Sequence, residues 1–150
     1  MKQLIKNIQQ RLQPIQELKY VDEDWGQLDY YSPNFPVQWP CVLIDITNAN
    51  FSNIGQDKRV KPMQRQMGET IFSFTIANLK LTNTSSKAPL AQKDNAWSIW
   101  ELIEKVHTEL QGFNPDTNAG KLIRTGWNRI KRDDGVQEYT VTYSCSLNNV

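Results

Sequence analysis

Apolar residues recur along this chain at several distinct spacings, and each spacing predicts an element. Leu4, Ile8, Leu12 and Ile15 are separated by four, four and three positions, which places them on one face of a helix from about Lys2 to Glu17. Pro14 lacks a backbone donor and crowds the carbonyl four residues earlier, so a kink or restart is expected there. Gln3, Gln9, Gln10, Gln13 and Gln16 dominate the rest of the segment and read either as a solvated face or as a packed subunit contact. Cys41-Val42-Leu43-Ile44-Asp45-Ile46 is nearly all apolar, as in a strand buried on both faces. From Gly68 to Leu81 the period is two: Ile71, Ser73, Thr75, Ala77 and Leu79 alternate with Phe72, Phe74, Ile76 and Asn78, predicting a long strand.

Helical spacing returns between Asn95 and Gln111, where Ile99, Ile103, Val106 and Leu110 form one stripe. Trp97 and Trp100 widen the apolar arc to roughly 220°, more than one sheet contact requires. They are therefore the candidate subunit interface. Glu101, Lys105 and Glu109 continue on the opposite side as a solvated strip, and Gly112 is placed to end the helix in a left-handed cap. Two β-rich runs follow, about Lys121–Arg132 and Val136–Leu147, joined by Asp133-Asp134-Gly135, a strong hairpin signal. In the second run Tyr139, Val141, Tyr143 and Cys145 alternate with Thr140, Thr142, Ser144 and Ser146. It should have one apolar face and one hydroxyl face, and an edge suited to pairing between subunits.

The connections are equally uneven. Asp22-Glu23-Asp24 and Asp133-Asp134 read as solvated turns. The aromatic passage from Tyr30 to Pro40 holds Pro33, Pro36 and Pro40 and should be extended but irregular. From Thr47 to Glu69 the pattern dissolves into a long polar connection carrying Lys58, Arg59, Lys61 and Arg65, with no acidic residue between Lys58 and Gly68. Long loops in compact domains are often functional. This one reads as a solvated connection, as an arm reaching a neighbouring subunit, or as positive charge presented to a phosphate backbone. The elements together predict one α+β domain over residues 1–150: a mostly antiparallel sheet packed by two helices, in the order α-β-β-β-α-β-β, with a long loop at about 47–69.

Composition narrows the function classes. Seventeen Lys and Arg balance sixteen Asp and Glu, a formal charge of +1, so overall charge favours neither nucleic-acid binding nor polyanion mimicry. The first residues lack the continuous apolar region of a signal peptide, and no apolar run is long enough to span a bilayer. Cys41 and Cys145 lie in apolar stretches without metal-ligand spacing, so buried thiols and a reducing, cytosolic site of synthesis are expected. No phosphate loop, nucleophile elbow or metal motif occurs. His107, the one histidine, falls within the apolar arc and reads as a packed side chain. No cofactor, metal or catalytic role is expected.

Pro40-Cys41-Val42-Leu43-Ile44, a helix ending in Leu110-Gln111-Gly112-Phe113, and a closing hairpin that starts near Gly120-Lys121-Leu122 and ends in Tyr139-Thr140-Val141-Thr142-Tyr143 share their order with a known family. Over most of its length the chain resembles the tail terminator, or tail-completion, proteins of long-tailed bacteriophages and prophages. The resemblance implies a homohexameric ring at the head-proximal end of the tail. Such a ring stops tube polymerisation and joins tail to capsid, with the tail tube protein and a connector or neck protein as partners and no catalysis. It further implies a virion protein made in the bacterial cytoplasm, and leaves open whether Lys58, Arg59, Lys61 and Arg65 face DNA in a lumen, a neighbouring subunit, or solvent. Two other classes stay open. A monomeric binding module would use the Tyr30–Trp39 passage, with Tyr31, Phe35 and Trp39 in its groove. A small enzyme would need His107 joined to a distant carboxylate.

Overall fold

A computed structural model describes residues 1–29, 36–79 and 83–148. In chain order these form α1 (Lys2–Leu12), β1 (Tyr20–Glu23), a short 3-10 turn (Gln27–Asp29), β2 (Cys41–Gln56), β3 (Gln64–Leu79), α2 (Leu90–Ala96), α3 (Ser98–Leu110), β4 (Ile123–Ile130) and β5 (Val136–Asn148). The strands make a single sheet in the order β1-β2-β3-β5-β4. Only the β1–β2 pair is parallel, so the chain is α+β with a mostly antiparallel sheet, as its periodicities predict.

The main core lies on one face of the sheet. Leu4, Ile8 and Leu12 of α1 and Ile99, Ile103, Val106 and Leu110 of α3 pack with Val42, Ile44, Phe72, Phe74, Ile76, Val141 and Tyr143. Those are the helical stripes and one alternating set from each strand, so burial follows the two periods directly. Phe74 meets Tyr143 edge-on at 5.4 Å between ring centres. The run Cys41–Ile44 is buried on both faces, because Cys41 and Leu43 join a second cluster with Leu28, Ala77 and Val136, against which Val37 and Trp39 pack. The hydroxyl set of β5 stays on that second side, outside either cluster.

Several expectations need correction. The segment at about 47–69 is a hairpin rather than a loop: β2 and β3 pair from Cys41 opposite Ala77 out to Gln56 opposite Gln64, with irregularities at Thr47 and Ile54. Its polar sequence hid the strands, since neither face of the outer part is buried and no apolar alternation is required there. α1 stops at Leu12 instead of continuing to Glu17; beyond Gln13, whose N–H still reaches the Gln9 carbonyl, Pro14 has no N–H to extend the helix. The helix expected over about Asn95–Gln111 is α3, Ser98–Leu110, and a separate helix α2, Leu90–Ala96, precedes it in a stretch not read as helical. Asp22 and Glu23 belong to β1, paired with Leu43 and Ile44, not to a turn. Asp134 is no solvated carboxylate either, as it sits 2.7 Å from Arg132 and accepts the Val136 N–H. β5 is an inner strand held between β3 and β4, so the free edge expected there belongs to β4.

Candidate assembly surfaces

β1 leaves β2 after Ile44, and the described part of β5 ends opposite Met67. Among the described residues, Asn53–Gln56 and Gln64–Gln66 therefore pair only with each other, as a two-stranded arm about 10–15 Å long before its tip. On and just inside this arm Phe51, Ile54, Val60, Met63 and Met67 are all exposed, Met63 by 52%. Phe51 crosses the backbone of Gly68, where a Cβ would stand 2.6 Å from its ring.

The basic residues cluster at the tip. Lys58, Arg59 and Lys61 are exposed in the turn and Arg65 is half-buried just inside it. Asp57 accepts from the Arg59 backbone N–H at 3.0 Å and lies 3.4 Å from its Nε, while Arg65 donates to the Pro62 carbonyl at 3.4 Å. Lys58, Arg59, Lys61 and Arg65 are thus brought together as one cationic tip.

A second apolar surface lies at the other end of the strand order. Trp100 of α3 lies against Tyr139 with the rings tilted by 55° and their centres 4.6 Å apart, and meets Trp127 of β4 edge-on at 5.5 Å. The Arg129 guanidinium sits 5.7 Å above the Tyr139 ring. Trp97 is exposed by 44% at the α2–α3 junction and Trp127 by 52%. The two tryptophans predicted as an interface consequently differ: Trp100 is half structural, through its ring contacts, whereas Trp97 is more open. Sequence reading did not single out Trp127. Its signal was the pairing of Trp127 with Val141, which puts it on the helix side of the sheet at an edge too far out to be covered.

The buried polar groups among the described residues are paired. His107 Nδ1 lies 2.9 Å from the Tyr143 hydroxyl, and burial, helped by Arg124, holds its pKa below the usual imidazole value. Burial pushes the Tyr143 hydroxyl and the Cys41 thiol up to about 12, leaving both neutral at physiological pH. Arg132 bridges Asp29, Asp134 and Glu138 and also donates to the Leu28 carbonyl. That network ties the β4–β5 turn to the 3-10 turn. Among the described residues no group of three His, Cys, Asp or Glu is arranged to hold a metal ion, and no helix is long and apolar enough to cross a membrane. Tyr31 and Phe35 of the possible ligand groove lie outside the described residues, and Trp39 packs beneath the sheet.

No protein-family model and no curated protein matches the chain. Among solved structures it is similar to a chain of one described as the virion of a native gene transfer agent particle. The two share 11% identity and a TM-score of 0.47 over 97% of this chain and 95% of that one. A likeness so distant does not bear on function.

Proposed function

We propose that this chain is a structural protein of a phage-type virion. In this reading it assembles with copies of itself into a ring, hexameric by the tail-terminator resemblance, at the head-proximal end of a tail. There it ends tube polymerisation and joins the tube to the capsid connector or neck protein. The observation that carries the reading is the distribution of unpartnered apolar surface. One patch lies on the β2–β3 arm and another, of different composition, around Trp97, Trp100 and Trp127 beyond the opposite end of the strand order. Exposed apolar patches mark interaction sites. Two unlike patches on one chain favour heterologous contact, which closes into a ring when the rotation between copies allows.

The element order implied by the resemblance is the order this chain adopts, with the separate short helix α2 ahead of α3. The cationic tip suits non-specific contact with a phosphate backbone in a lumen. An enzyme built on His107 has little support, since Nδ1 is engaged by Tyr143. Light scattering over a wide concentration range, with negative-stain imaging, tests the proposal. A discrete ring, alone or on purified tail tubes, is expected. A chain that stays monomeric in both settings sinks it.

A further inference from the structure

Beyond Ile44 the outer edge of β2 has no strand beside it among the described residues. Natural sheets blunt such edges with charge, proline or brevity. Here the stretch from Ile46 to Gln56 contains no charged residue and no proline, so this edge is long and unprotected by charge. At the far side of the sheet, β4 is the other open edge, and almost all of its residues are exposed. The stretch from Lys121 to Arg132, which holds β4 and its flanks, contains no acidic residue. Arg132 is engaged by its carboxylates, which leaves Lys121, Arg124, Arg129 and Lys131 along or beside the strand.

From these two edges we infer that β4 of one copy adds, antiparallel, to the outer part of β2 of the next, so that the sheets of neighbouring copies run together. This deepens the ring reading and rests on it. Strand direction is compatible: β2 to β3, β3 to β5 and β5 to β4 are each antiparallel, so β4 opposes β2 and the alternation continues across the junction. Side-chain parity fits as well. Phe51 pairs with Gly68, and Gly68 with the core residue Leu147; Trp127 pairs with Val141. Both exposed aromatics therefore stand on the helix side of the sheet.

Placing Phe51 opposite Trp127 sets Lys121 opposite Asp57 and Lys131 opposite Thr47, two positions from Asp45, so basic residues approach both acids that bound the uncharged stretch. Pairing of β4 with β4 would instead set like charges against each other. The charge pattern selects unlike edges, and hence a head-to-tail array rather than a two-fold dimer.

In that register Asn50 faces Asn128 across the junction, both exposed on the side away from the helices. The native Cys41 and Cys145 are buried, so introduced thiols report alone. Opposed residues of paired strands lie within disulfide reach. Asn50→Cys and Asn128→Cys are made singly and together, and oxidised with light scattering in parallel. The double variant should give a ladder of covalent oligomers ending at the ring, mixed single variants should give dimers alone, and each single variant by itself should stay uncross-linked. Self-association without cross-linking in the double variant overturns the edge pairing while leaving the ring. Dimers from Asn128→Cys alone overturn it in favour of β4–β4 contact. Absence of any self-association removes both inferences.

Discussion

Phe51 packs one edge of its ring against Gly68 on the neighbouring strand, where a Cβ would stand 2.6 Å from Cδ1 and 2.7 Å from Cε1, so a larger side chain would require the ring to shift. The glycine thus sets the direction of an exposed aromatic. Gly68→Ala should lift the ring out of place and weaken self-association roughly tenfold, about 1.4 kcal/mol. The thermal midpoint should hardly move, because the pair sits outside the main core. Sedimentation and circular dichroism on the same samples would check this, and a large loss of thermal stability would show that the arm is part of the folding unit.

Trp97 and Trp100 should separate on mutation. Trp97→Asp is expected to abolish self-association and leave the fold intact. Trp100→Ala should in addition cost folding stability of about 1–2 kcal/mol, because it loses the contacts with Tyr139 and Trp127. Urea titration beside light scattering distinguishes them. A fully assembled Trp97→Asp protein would remove Trp97 from the interface.

Replacing Lys58, Arg59, Lys61 and Arg65 together by Gln should leave assembly unchanged and reduce retention of DNA in assembled particles, with a shallower dependence on salt. Nuclease protection of packaged DNA measures it. Unchanged retention would reduce the tip to a solvated turn.

Arg132 pairs with Asp29, Asp134 and Glu138 and with the Leu28 carbonyl. Arg132→Ala strands Glu138 and Asp134 and should destabilise the chain by roughly 2–3 kcal/mol. Arg132→Leu combined with Glu138→Leu should recover part of that loss. Chemical denaturation of the three proteins tests the coupling.

The pH dependence near neutrality should come from His107. Its folded pKa is depressed below 6.5 by burial, so the unfolded chain takes up the proton first. The stabilisation is complete above the unfolded value and is lost as pH falls through the folded one. Stability should therefore decline on acidification below about 6.5, and His107→Gln should flatten that part of the profile. An identical slope in the variant would exclude His107 as its source.

Periodicity made the buried half of the fold legible. The stripes of α1 and α3, the double burial of Cys41–Ile44 and the two faces of β5 all follow from burial, which writes itself into residue spacing. The outer half of the β2–β3 hairpin was not legible, because its strands are held by backbone pairing and bury little. The same reason concealed Trp127, whose place depends on which strand lies at the edge, a property of strand order rather than of local sequence. The cationic tip was visible as composition but not as a tip. The short helix α2 was missed because its one buried residue, Ala96, leaves no apolar stripe to mark it.

The uncharged stretch from Ile46 to Gln56 bears on the supply of the protein as well as on its contacts. A newly made chain carries an open backbone ladder that any extended segment can occupy. On the ring reading, how long it remains usable depends less on the strength of its core than on how soon the right neighbour arrives, and synthesis in step with its partners, more than intrinsic stability, would govern the yield of assembled protein.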